Sequence, residues 1–274
     1  MSTKIRLVLF VLFAQAFACL VVNLALELDP TLLAPRLVSN LAQAFAQGQI
    51  LLSFVALAVI LHAQCRWQWL PGFVVLYCGT LAAECMGTRF GIPFGSYAFT
   101  DMLGIKWFGL VPALIPLAWF NIAVPAFVVA SLGFPGRAGR VVAGAALMLA
   151  WDLFADPLMG SRYAFWGWRD PGVYYGIPLS NFAGWFLVGL LAMTWIDGFS
   201  WSRIHGECRT PFALHYAVSL LLALGLAVVF RMGLALATCS ALLLALEVCR
   251  RINRAPMHRV NEREQTPVTA ARES

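Results

Sequence analysis

Charge is scarce in this 274-residue chain. Asp, Glu, Lys and Arg make up 12% of it, against 61% hydrophobic residues and a mean hydropathy of +0.79. A soluble domain carries about 25% charged residues, so the chain has too little charge to solvate a globular surface. That excludes a cytosolic enzyme and a disordered protein. Histidine is scarce too: His62, His205, His215 and His258 are scattered, with no HxxxH or HxxHH cluster. This argues against a di-iron membrane oxygenase. HExxH, GxSxG and Walker A motifs are also missing. The seven cysteines have no CxxC spacing and lie mostly in apolar runs. They read as small buried hydrophobes rather than a disulfide framework or a zinc site.

What the chain does have is long apolar runs. A membrane-spanning helix needs about 20 apolar residues. Runs bounded by polar, Gly or Pro residues predict eight spans near 5–26, 48–64, 70–87, 109–132, 139–157, 182–199, 211–230 and 233–249. Lys4 and Arg6 stand at the start of the first, which is too long for the core of a signal peptide. The predicted fold is therefore all-α, a polytopic transmembrane helix bundle of about eight spans with two interfacial Gly/Pro/aromatic loops. Residues 1–250 form a single integral membrane domain. Residues 251–274, rich in Arg and Glu without an apolar stripe, are expected to be a disordered cytoplasmic tail.

An even number of spans puts both termini on one side. With the termini inside, the inner segments hold Lys4, Arg6, Arg66, Arg137, Arg140, Arg203, Arg209 and the tail arginines, thirteen basic residues in all. The outer loops hold six: Arg36, Arg89, Lys106, Arg162, Arg169 and Arg231. The bias predicts cytoplasmic termini. The net charge of +6 is thus a topology signal and does not point to nucleic acid. Loops 88–108 and 158–181 then share the outer side. Each carries a Gly-Ile-Pro turn, Gly91-Ile92-Pro93 and Gly176-Ile177-Pro178. Their equivalent placement suggests two hairpins building one site, while the plainer reading is that Gly-Pro turns recur where loops re-enter an interface.

Three acids sit where acids are expensive: Glu84 near the end of the third span, and Asp152 and Asp156 in the outer half of the fifth. A charge at the bilayer centre costs at least about 2.5–3.5 kcal/mol, so such residues face a bundle interior and mark function. Asp152 and Asp156 are four apart and share a helix face. Pro157 predicts a helix end at Asp156, placing Asp156 at a cavity mouth with Asp152 about 6 Å deeper. Two carboxyls this close in a low dielectric cannot both ionise cheaply, and an acid beside a carboxylate suits general acid/base work. The structural alternative pairs them with Arg89, Arg162 or Arg169 to hold loops in place.

Aromatic residues crowd the second loop: Tyr163, Phe165, Trp166, Trp168, Tyr174, Tyr175, Phe182 and Trp185. Such residues form interface belts in membrane proteins, but ring faces also stabilise cations. An aromatic wall beside a buried acid suits a carbocation reaction on an apolar substrate. The runner-up is a membrane prenyltransferase whose aspartates bind magnesium and an isoprenoid diphosphate, although that chemistry wants more acids and basic residues. A lipid or small-molecule transporter is a third class, weakened by the lack of an evident inverted repeat.

Several motifs occur in a telling order: Glu84-x-x-Gly87; Gly91-Ile92-Pro93-Phe94-Gly95-x-Tyr97; Trp151-Asp152-x-x-x-Asp156-Pro157-x-Met159; Trp166-x-Trp168; and Tyr175-Gly176-Ile177-Pro178-Leu179-x-Asn181-Phe182-x-Gly184-Trp185. Together they resemble the CruF-type carotenoid biosynthesis membrane proteins, over residues 75–200 by motif and in the flanking spans by hydropathy. The resemblance implies a carotenoid 1,2-hydratase of a bacterial or archaeal cytoplasmic membrane. Such an enzyme adds water to the terminal double bond of an acyclic carotenoid in the bilayer, without a cofactor or metal. Other carotenoid enzymes are its implied neighbours. The expected roles are Asp152 or Asp156 as proton donor, with Glu84 or the other Asp orienting water and taking its proton. Arg89 and Arg162 would tune these acids, Tyr97 and Asn181 would bind water, and Trp166 and Trp168 would line the end-group pocket.

Overall fold

A computed structural model of the chain describes residues 1–199 and 209–264, with side chains through Ile252. Among the described residues its α-helices are α1 (Thr3–Leu28), α2 (Pro35–Cys65), α3 (Leu70–Phe90), α4 (Leu114–Gly133), α5 (Arg137–Asp156), α6 (Leu179–Gly198), α7 (Thr210–Val229) and α8 (Gly233–Glu264). All eight are long and apolar enough to cross a membrane, and the chain is an integral membrane protein. The tail expected from residue 251 overlaps the end of α8 and otherwise lies outside the described residues, as do Arg203, His205 and Cys208.

Besides the C-terminal extension of α8 past residue 249, two boundaries depart from the sequence reading. Helix α2 starts at Pro35, well before residue 48. Ser39, Asn40, Gln43 and Gln47 dilute the hydropathy there, but proline at the first turn is compatible with a helix start. Helix α4 starts only at Leu114. The residues before it form an antiparallel ribbon of β2 (Lys106–Trp107) and β3 (Val111–Pro112), which follow β1 (Tyr97–Phe99).

Helices α4 and α5 form the centre. In each, 72% of the spanning window is buried, against 11–39% in the other six. Helix α4 is apolar nearly all round, Asn121 and Ser131 apart, as a helix enclosed on most sides must be. Helix α5 offers the small run Ala143-Gly144-Ala145-Ala146 to its neighbours. Lipid supplies no hydrophobic force between helices, so close approach of small residues carries the packing. At Gly144 a Cβ would stand 2.5 Å from Met193 Sδ of α6. Asp197, at the end of α6, accepts from Arg140 Nη2 at 2.7 Å and pairs with Arg137 Nε at 3.2 Å, clamping the start of α5. Phe10, Phe13 and Phe17 of α1 point outward, each more than half exposed, as a lipid-facing surface requires.

The far end of α5 holds the site. Proline at 157 predicts a helix end, and α-helical bonding does stop at Asp156. The chain nevertheless continues as a π-helical segment, Pro157–Arg162, and Asp156 keeps helical angles of φ −64° and ψ −48°. Pro157 has no N–H to give the Leu153 carbonyl. The Tyr174 hydroxyl donates to that carbonyl instead, at 2.9 Å.

Candidate active site

The two outer loops meet. Strand β1 pairs antiparallel with β4 (Trp166–Trp168), with Tyr97 opposite Trp168 and Phe99 opposite Trp166. Ser96 O accepts from Arg169 N at 2.8 Å and Phe165 O from Thr100 N at 2.9 Å, which extends the ribbon at both ends. The ribbon caps a cavity of about 190 Å³ that reaches down between the helices.

Glu84, Asp152 and Asp156 all line this cavity, and all are at least 95% buried. Helix periodicity puts Asp152 and Asp156 on one face of α5, and α3 brings Glu84 to the same space. The partners of each carboxyl are neutral donors. Glu84 accepts from Trp119 Nε1 at 2.7 Å and from the Tyr97 hydroxyl in a short bond. Asp156 accepts from Trp166 Nε1 at 2.7 Å and from Asn181 Nδ2 in a short bond. The same Asn181 nitrogen donates to Asp152 at 3.3 Å. Tyr97 can stand this close to Glu84 because Gly87 lies one turn on along α3. A Cβ at Gly87 would sit 2.8 Å from the Phe94 ring and 2.9 Å from Tyr97. Burial, reinforced by the charge of Glu84, holds the Tyr97 phenol well above its usual value, so it stays protonated and donating.

Five tryptophans line the cavity: Trp119, Trp151, Trp166, Trp168 and Trp185. Trp119 and Trp185 stack at 3.9 Å between centroids and 14° between planes. Trp168 lies against Tyr97 at 4.9 Å, and its indole N–H has no partner. No Lys, Arg or His is among the described residues that line it.

Seven of the nine residues singled out from sequence thus come together: Glu84, Tyr97, Asp152, Asp156, Trp166, Trp168 and Asn181. Tyr97 and Asn181, expected to hold water, bond directly to the carboxyls. Arg89 and Arg162 stand elsewhere, and the expectation that they tune the acids is corrected. Arg89 is exposed beside Phe90. Five residues along a helix turn it about 140° away from Glu84 at 3.6 residues per turn. Arg162 pairs with Glu27 at 3.2 Å and covers the Phe230 ring at 4.5 Å. Sequence reasoning missed Trp119. Its signal was available: a Trp inside an apolar span needs a partner for its N–H.

Fold and cavity define an integral membrane protein with an acid-bearing, aromatic-walled chamber near one end of its helices. The sequence model of the carotenoid biosynthesis proteins matches residues 45–248, and the chain belongs to that family. The motif order had pointed to the same family. Among curated proteins, a bisanhydrobacterioruberin hydratase from Haloarcula japonica is 31% identical over 158 residues, covering 56% of this chain and 53% of that protein. The chain thus spans about half the length of this relative. No solved structure matches.

Proposed function

We propose that the chain is a carotenoid hydratase, adding water to the terminal C1–C2 double bond of an acyclic carotenoid end group. One observation carries the reading: three carboxyls held by neutral donors share an apolar cavity with five tryptophans and, among the described residues, no lining cation. The name of the haloarchaeal relative points the same way. A diphosphate in this cavity would meet three acids and no basic side chain, which weighs against the prenyltransferase alternative.

Hydrogen bonding separates the carboxyls. Glu84 and Asp156 each accept two bonds from fixed donors, the arrangement that favours a carboxylate. Asp152 has one long contact and an oxygen left to carry a proton, so Asp152 is the proton donor. Its proton goes to the less substituted alkene carbon, the π pair forms the new C–H bond, and a tertiary cation results. The tryptophan faces stabilise that cation. A water oxygen attacks it and forms the C–O bond, and the extra water proton passes to Asp156 or Glu84. Moving that proton back to Asp152 restores the site. Substrate, one water and the protein's carboxyls balance the reaction. We place the protein in a bacterial or archaeal cytoplasmic membrane with both termini inside.

The test is expression in cells that make lycopene. The expected product is heavier by one water and takes its oxygen from labelled water, with or without air. Label from oxygen gas, or unaltered pigment alongside turnover of an isoprenoid diphosphate, would overturn the reading.

A further inference from the structure

Among the cavity-lining polar groups that the mechanism does not use, one pair of amides stands out for lacking partners. Gln49 of α2 and Asn121 of α4 line the same cavity as the carboxyls. Asn121 is 6% exposed, and its Nδ2 donates to Ile50 O at 2.9 Å, the carbonyl next to Gln49 in sequence. Among the described residues Asn121 Oδ1 has no partner, and neither Oε1 nor Nε2 of Gln49 has one. Neighbouring Ser53 and Ser219 differ: Ser53 bonds His215 Nε2 at 2.9 Å, and Ser219 Oγ donates to the His215 carbonyl at 3.2 Å.

Three unsatisfied amide atoms inside a membrane-spanning bundle are costly, because no bulk water reaches them. They include two acceptors and one donor, which defines the occupant. A cation would meet the amide N–H, an anion would meet two carbonyl oxygens, and a hydrocarbon would satisfy neither. A hydroxyl oxygen both donates and accepts. We propose that Gln49 and Asn121 form a second, hydrogen-bonding subsite that takes a hydroxyl oxygen, supplied by an ordered water or by the isoprenoid itself. The subsite deepens the hydratase reading, but its evidence is the pair of orphaned amides, so its test reads binding and not turnover.

The Gln49 side chain has no hydrogen-bond partner among the described residues, so Gln49→Met removes two of the three orphan atoms and little else. The purified full chain in nanodiscs is titrated with lycopene and with an acyclic carotenoid carrying one tertiary hydroxyl, followed by quenching of the cavity tryptophans. A solved structure of the unliganded and loaded protein accompanies the titration. If the ligand supplies the oxygen, the native protein prefers the hydroxylated probe by about five- to tenfold, the scale of one or two neutral hydrogen bonds. Gln49→Met then lowers that preference severalfold, and in the native protein oxygen density beside Asn121 appears only with that probe. If water supplies it, the probes bind alike and an ordered oxygen lies between the amides before any ligand is added. Equal binding together with no ordered oxygen at the amides overturns the subsite. Loss of hydration in Asp152→Asn with this preference intact would separate the two readings.

Discussion

Replacing each carboxyl by its amide should divide the three acids by role, and the hydrogen bonds say how. Asp152 has a single contact, from Asn181 Nδ2 at 3.3 Å. An Asn at 152 can still accept there through its carbonyl oxygen, so Asp152→Asn should leave folding intact. It cannot deliver a proton, and losing a general acid costs about 10²–10⁴-fold in rate, or roughly 2.7–5.5 kcal/mol of barrier. Asp156 differs because its two oxygens face two different donors, Trp166 Nε1 and Asn181 Nδ2. An Asn at 156 must turn its own NH₂ towards one of them. That leaves a buried donor unpaired at a cost of about 1–3 kcal/mol. Glu84→Gln differs in one respect: its carbonyl can keep the Trp119 N–H and its NH₂ can donate to the Tyr97 hydroxyl oxygen, which leaves the Tyr97 O–H as the buried donor without its acceptor. The assay is hydrated product per unit of folded membrane protein, with thermal stability measured on the same samples. Asp152→Asn should lose activity at normal Tm, whereas Asp156→Asn and Glu84→Gln should lose both. Near-normal turnover in Asp152→Asn would refute the assignment of the proton donor. Normal stability in both other variants would refute the hydrogen-bond account.

Two further outcomes follow from packing and charge. Gly87→Ala puts a methyl against Phe94 and Tyr97 and should lower stability by about 1–3 kcal/mol while prising Tyr97 from Glu84; Gly167→Ala in β4, where a Cβ meets nothing within 4 Å, should be near neutral in the same melting assay. Accessibility tags at the C-terminus and near Arg137 should be cytoplasmic and tags near Tyr97 and Arg169 outside, and outside labelling of the C-terminus would reverse the proposed orientation.

How much of this was legible in the sequence depends on the force involved. The spans could be read because lipid leaves backbone groups no partner outside the helix. Polar residues hid the first turns of α2, and β3 was mistaken for the start of α4 because short apolar strands and helix ends look alike. The acids could be read because each is expensive in a membrane. Their partners could not be, since Trp119 is 35 residues from Glu84 and Asn181 is 25 from Asp156. Nor could the β1–β4 ribbon, whose three-residue strands carry no periodicity.

The expectation that arginines would answer the buried acids was mistaken for a reason that bears on function. A guanidinium brought into the span would add a second desolvation cost and would hold its partner as a carboxylate. Trp119, Trp166, Tyr97 and Asn181 supply donors without a charge, so the site can gain and lose a proton without exposing an unpaired buried cation. Arg89 and Arg162 stay at the surface, where an exposed cation costs little. A chamber meant to bind an anion would be built the other way, with the cations inside. The choice of neutral donors is thus the feature of this fold that most directly favours proton transfer to an apolar substrate over anion binding.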